Sequence, residues 1–123
     1  MKTKVNEISI SYSGSRKINQ LPKISSSQDA VTILLENWDK GCIGLNENFK
    51  VILLNNSNRV KGIYSLSSGG ITGTLVDVRI LFAVLLKSLT TAVILAHNHP
   101  SGNLQPSDAD KRITRKIVEA GKF

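Results

Sequence analysis

Two histidines separated by a single residue, His97 and His99, and an aspartate further along, Asp110, are the side chains of this sequence whose types and spacing point to chemistry. They follow an apolar run, Thr91 to Ala96, that reads as a buried strand. Side chains at i and i+2 of an extended segment share a face, so extension through His99 would turn both imidazoles into one cavity. Pro100, Gly102 and Pro106 are the punctuation by which a chain leaves a strand, turns and enters a helix. Asp110 then falls in the first turn of that helix. Two imidazoles and a carboxylate with an open fourth position form the ligand set of a catalytic zinc ion; a closed structural site would take four protein ligands, usually with cysteines, and none is near. On spacing alone Asp108 is an alternative to Asp110. His97 and His99 are the only histidines of the chain. A structural role at a strand end is the ordinary alternative, but their pairing ahead of a carboxylate favours ligation.

The full pattern is His-x-His, seven residues, Ser107, two residues, Asp110. It resembles the motif of the JAMM (MPN-plus) metalloproteases. The string Val93-Ile94-Leu95-Ala96-His97-Asn98-His99-Pro100-Ser101-Gly102 resembles the RadC-like branch in particular, and the resemblance runs from about Ser27 to Phe123. It implies an α/β fold of the MPN/JAB type (cytidine-deaminase-like), a mixed β-sheet flanked by helices. It also implies Zn2+ held by His97, His99 and Asp110, which selects Asp110 over Asp108. Ser107 is implied to support the oxyanion. Glu47 is implied to act as general base and then acid, because Glu47-Asn48-Phe49 fits a Glu-x-Phe pattern ahead of an apolar strand. The substrates implied are peptide or isopeptide bonds, and the family name carries a link to DNA repair. RadC-like domains are expected to continue with further strand beyond Phe123, which would make this domain C-terminally truncated and leave the sheet short of an edge.

The residues themselves leave room for duller roles. Ser107-x-x-Asp110 also reads as a capping box, with Ser107 as N-cap and Asp110 favourably placed in the helix dipole. Cap and oxyanion donor stay equally open for Ser107. A zinc-bound Asp110 carboxylate is not expected to reach back fully to cap as well. Glu47 by itself would read as a loop acid; Glu7, Glu36 and Glu119 are poorer candidates by context.

At 123 residues, 41% hydrophobic and 20% charged, the chain has the length and mixture of one globular domain. No apolar run reaches membrane-spanning length, the longest being Ile80 to Leu86, and Met1-Lys2-Thr3-Lys4 opens no signal peptide, so no membrane partner is expected. Cys42 is the single cysteine, which excludes a disulfide framework and points to a reducing cytoplasm. Net charge is +7 and the isoelectric point about 9.8, which permits attraction to nucleic acid or to acidic protein surfaces. Aromatics are only 5% and do not interleave with the basic residues, so no base-stacking platform is visible. A basic helix face, Lys111, Arg112, Arg115 and Lys116, carries the alternative reading of a nucleic-acid-binding protein in repair or mobile-element biology. A catalytically silent scaffold is the third reading.

The elements that must position these residues follow from pattern. Residues 1–26 read as an N-terminal strand, Val5 to Tyr12, and a polar linker; residues 27–123 form the domain. Ser27 is expected to cap a helix over Gln28 to Trp38, with Val31, Leu34, Leu35 and Trp38 as its apolar stripe. Phe49 to Leu54, apolar on both faces but for Lys50, is expected inside a sheet. Asn55 to Asn58 is a turn, Arg59 to Leu66 returns as a strand, and Thr72 to Val76 follows the glycine-rich Ser67 to Gly73 as a third. Asp77 is expected to cap a helix to Ser88 that is apolar nearly all round and therefore central. The strand Thr91 to Ala96 and a helix from Ser107 to Ala120, with Ile113, Ile117 and Ala120 inward, complete the plan.

Overall fold

A computed structural model describes residues 4–9, 11–14, 16–68 and 76–123. In chain order it contains a short 3-10 turn at Ile18–Gln20, α1 (Ser27–Glu36), β1 (Asn48–Leu54), β2 (Val60–Ser68), α2 (Val78–Lys87), β3 (Ala92–His97) and α3 (Asp108–Gly121). The sheet has the order β2-β1-β3, and every pairing among the described residues is antiparallel.

β1 lies at the centre because its side chains are apolar on both faces, and a strand buried on both sides needs that composition. Phe49, Val51 and Leu53 enter one cluster with Leu81 and Leu85 of α2 and Ile117 of α3. Ile52 and Leu54 enter the opposite cluster with Ile24, Ala30 of α1 and Val60. Alternation along one strand therefore builds both cores, with α1 covering one face and α2 and α3 the other. Lys50, the exception, faces α1: its Nζ donates to the Asn37 carbonyl at 3.1 Å and lies 5.0 Å from the Trp38 ring centroid. The β1–β2 register shifts at Phe49/Lys50 and Leu53/Leu54. Between the strands Asn58 takes φ +60°, a left-handed conformation asparagine tolerates, and the Asn55 Oδ1 accepts from the Ser57 and Arg59 N–H groups.

Several expectations need correction. The expected strand Val5 to Tyr12 is not formed among its described residues; Val5 and Ile8 are 84% and 89% exposed, and no strand pairs with them. Instead the Tyr12 hydroxyl donates to the Lys61 carbonyl of β2, and further along Lys23 and Arg59 form an isolated antiparallel backbone bridge just ahead of β2. α1 is capped by Ser26, whose hydroxyl accepts from the Asp29 N–H, one residue before the expected Ser27. Its buried stripe is rotated too: Ala30, Ile33 and Leu34 turn to the sheet, whereas Val31 and Leu35 are about half exposed, at 45% and 49%. Trp38 is buried beyond the end of the helix. α2 begins at the expected cap, Asp77, but only Leu81 and Leu85 are buried and Leu86 is 74% exposed, so it packs by one face. The expected strand Thr72 to Val76 lies, apart from Val76, outside the described residues, and Val76 is in no strand.

Candidate metal centre

β3 pairs with β1 so that His97 stands opposite Phe49. The two rings stack at 5.8 Å between centroids and 3° between planes, which fixes the His97 imidazole against the core. Two residues on, His99 returns to the same side, its ring centroid 4.6 Å from that of His97. The turn that follows secures it. The Gly102 N–H donates to the His99 carbonyl at 2.9 Å, and Gly102 takes φ +82°, where any side chain would be strained. One residue later the Asn103 carbonyl lies 2.6 Å from His99 Nδ1. A carbonyl only accepts, so Nδ1 carries the proton and a neutral His99 has its free lone pair on Nε2.

Asp110 enters from α3. Ser107 is the N-cap: its hydroxyl accepts from the Asp110 N–H at 3.0 Å while Asp110 Oδ2 accepts from the Ser107 N–H at 2.7 Å, a reciprocal capping box. The same carboxylate also reaches the histidines, with Oδ1 3.0 Å from His97 Nε2 and Oδ2 3.2 Å from His99 Nε2. Capping and approach to the imidazoles thus occur in one carboxylate. The two oxygens are shared between the two tasks because the capping geometry itself turns the carboxylate toward the strand end. Asp108, the alternative on spacing, is exposed and is not part of the group.

The three ligand atoms lie within 4.8 Å of one another, and the two Nε2 atoms are 2.8 Å apart. A tetrahedral ion with bonds near 2.0–2.1 Å holds its ligand atoms about 3.3 Å apart. The Nε2 lone pair of neutral His99 faces a carboxylate oxygen, an arrangement of two acceptors that a cation between them resolves. His97, His99 and Asp110 thus form a group that can hold a metal ion. Their side chains are 18%, 19% and 19% exposed, enclosed enough to strengthen electrostatics and open enough for a ligand to arrive.

Electrostatics at the group favour the charged forms. The Asn103 carbonyl raises the His99 pKa; burial opposes it, and the negative charges of Asp110 and Glu47 add to the rise. Burial pushes the Asp110 carboxyl upward, but hydrogen bonding by the Ser107 backbone and side chain and the two imidazoles outweigh it, and the net value lies below the ordinary carboxylate range.

Glu47 is half-buried and lines, with His97, His99, Ser107 and Asp110, one cavity of about 510 Å3. Glu47 lies just ahead of β1, one residue before Asn48, and its charge acts on His99. Ser107 borders the same cavity. Its cap uses an acceptor lone pair, so the O–H can still be turned to another acceptor, the Asp110 carboxylate or a group in the cavity. Glu7 and Glu36 are exposed away from this cavity, and Glu119 pairs with Lys122 at 3.0 Å. The Cys42 thiol donates to Asp39 at 3.3 Å, which raises its pKa and holds it as a neutral thiol.

The residue that sequence reasoning passed over is Asn98, between the two histidines. It points to the opposite face. Its Nδ2 donates to the carbonyls of Ile43 (2.6 Å) and Asn46 (2.8 Å), and its Oδ1 accepts from the Asn48 N–H at 2.8 Å. Three bonds from one amide tie the end of β3 to the loop before β1, and so place Glu47 relative to the histidines. A signal existed: an amide at a strand position turned toward the core side needs polar partners, and loop backbone is the usual source.

Comparison with known proteins agrees with this geometry. A family model described as RadC-like JAB domain matches residues 24–123. A "UPF0758 protein" of Flavobacterium johnsoniae is 51% identical over 108 residues, covering 86% of this chain and 45% of the relative. One from Alkaliphilus metalliredigens is 39% identical over 101 residues, 82% of this chain and 42% of the relative. Another, from Symbiobacterium thermophilum, is 47% identical over 76 residues, 62% of this chain and 32% of the relative. The chain therefore spans less than half the length of these relatives. Since the match runs across the sheet, all three helices and the His-His-Asp group, the chain belongs to the RadC-like JAB domain family.

Proposed function

We propose that this domain is a zinc-dependent hydrolase of peptide or isopeptide bonds, working in the cytoplasm. The observation that carries the reading is the convergence of three ligand atoms within 4.8 Å in a cavity that Glu47 also lines. His97, His99 and Asp110 hold the ion. When bound, zinc supplies Lewis acidity, which makes water a nucleophile near neutral pH and polarises an amide carbonyl. Glu47, lining the same cavity as the histidines, takes the proton of the attacking water and returns it to the departing nitrogen. Ser107 directs its O–H to the developing oxyanion, a contribution of about 3 kcal/mol for a single well-placed donor. Asn103 keeps His99 in the tautomer whose Nε2 binds metal, and Asn98 holds Glu47 in register with the histidines. Among the described residues no helix is long and apolar enough to cross a membrane.

The test is to load the chain with one equivalent of zinc and incubate it with a mixed peptide library and with an isopeptide-linked fluorogenic substrate. Cleavage that disappears with a chelator, returns with zinc, and is lost in Glu47→Gln at unchanged zinc content supports the reading. No zinc uptake, or cleavage indifferent to Glu47, removes it.

A further inference from the structure

We propose that Arg112 and Lys116 of α3 form a carboxylate-recognition subsite of the metal cavity, selecting peptides that carry a carboxylate one to three residues from the bond presented to the His-His-Asp group. This rests on the hydrolase reading above and names the substrate class it takes.

Along α3, Ala109, Arg112, Ile113 and Lys116 recur at i, i+3, i+4 and i+7, and all four line the same cavity of about 510 Å3 as the metal group. A basic helix face is ordinarily a solvated one, and its cations usually find acids one helical turn away. Both cations have such an acid: Asp108 stands four residues before Arg112, and Glu119 three after Lys116. Neither is used. Glu119 pairs with Lys122 at 3.0 Å, and among the described residues Arg112 and Lys116 make no ion pair. Two unneutralised cations in a ligand-sized cavity are a binding feature for an anion.

The charges in the cavity lead to the same conclusion. Glu47 and Asp110 balance Arg112 and Lys116, so a divalent ion on the histidines leaves the cavity positive by about two charges. A substrate carboxylate restores the balance, and the guanidinium of Arg112 matches it in bidentate geometry. Helix rise sets the spacing: Arg112 lies about 3 Å and Lys116 about 9 Å beyond Asp110 along the axis. An extended peptide advances about 3.3–3.6 Å per residue, hence one to three residues.

A nucleic-acid track is the less favoured occupant. Lys111 and Arg115 line an adjoining cavity that shares Phe49, His97, Pro106, Asp110 and Ile113 with the first, whereas Arg112 and Lys116 alone of the four line the part that also holds Glu47 and Ser107. The aromatic ring of the site, Phe49, is already stacked on His97.

The test uses NMR titration of the full chain, with and without one equivalent of zinc. Three tetrapeptides serve as probes: acetyl-tetra-alanine amide, the same peptide with a free C-terminal carboxylate, and an amidated peptide with aspartate at the third position. At least one carboxylate peptide is expected to bind about tenfold tighter than the neutral one, or about 1.4 kcal/mol, and to shift the Arg112 Nε–H resonance. Which of the two binds tells a terminal carboxylate from an acidic side chain. The preference should shrink to within about twofold in R112A/K116A and invert in R112E/K116E, both exposed substitutions whose folding a thermal melt checks. Equal binding of all three peptides, binding by none, or a preference that survives R112A/K116A overturns the proposal. So does a short random-sequence single-stranded DNA that displaces the carboxylate peptide at roughly 150 mM salt. Failure of the hydrolase reading appears separately, as absent zinc uptake or cleavage, on samples whose peptide preference is still measured.

Discussion

The two faces of the sheet meet at the tripeptide His97-Asn98-His99 and use it differently. On the α3 side the two imidazoles, with Asp110 arriving from the helix, leave their polar atoms directed at one another across 2.8–3.2 Å. On the α1 side the Asn98 amide satisfies three backbone groups of the loop and strand before it. One face is left with polar atoms that a cation would complete, and the other is closed by neutral hydrogen bonds. The lesson is that chemistry and its support can alternate along three residues, because the side-chain period of a strand is two.

Breaking the open face should have the largest effect. His97→Ala, His99→Ala or Asp110→Ala should reduce bound zinc from one equivalent to near zero by metal analysis. The affinity loss should exceed the roughly 10–100-fold typical of outer partners. Glu47→Gln should leave zinc content unchanged and lower the cleavage rate by about 10²–10⁴-fold in a peptide assay. Breaking the closed face is next. Asn98→Leu strands the Asn48 N–H and two carbonyls and should cost about 2–4 kcal/mol in urea unfolding, with zinc affinity reduced about tenfold. Ser107→Ala should cost about 1 kcal/mol of stability through the lost cap, with Ser107→Asp restoring that loss but not the cleavage rate.

Acidity sharpens the comparison, because His99 and Asp110 of the open face carry shifted pKa values, whereas the Asn98 amide does not titrate. The His99 pKa is raised, so in the metal-free chain its charged contact with Asp110 stabilises fully below the ordinary histidine value of about 6.5 and is lost as pH rises through the raised folded value. Asp110, whose pKa is lowered, contributes above its unfolded value and loses that only in stronger acid. Zinc binding has the opposite sign, since the ion must displace the His99 proton. Melting temperatures with and without zinc should therefore diverge as pH rises through that value and converge below it. A zinc-dependent shift that is constant with pH would exclude displacement of a proton from the histidines.

The sequence carried much of the fold. β1 as an interior strand, Asp77 and Ser107 as caps, and α3 with Ile113 and Ile117 inward were all legible, because each depends on local period or on a side chain bonding its own helix terminus. The N-terminal strand was not, since alternation at Val5 to Tyr12 does not supply a neighbouring strand to pair with. The stripe of α1 was misjudged in part: Leu34 turns inward and Trp38 is buried as expected, but Ala30 and Ile33 take the places expected of Val31 and Leu35, because all four are apolar and only the sheet decides which it covers.

The order of residues from His97 to Asp110 by itself narrowed the side chains that could share an ion to the two imidazoles and either Asp108 or Asp110, because spacing within one strand end and one helical turn is a local matter. Only the tertiary structure decided that Glu47, fifty residues earlier than His97, borders the same cavity. The same holds for the sharing of the Asp110 oxygens between cap and imidazoles, and for the turning of Arg112 and Lys116 toward the site. Each of these depends on strand register and on how α3 lies across the sheet, relations between distant segments that packing and hydrogen bonding set together.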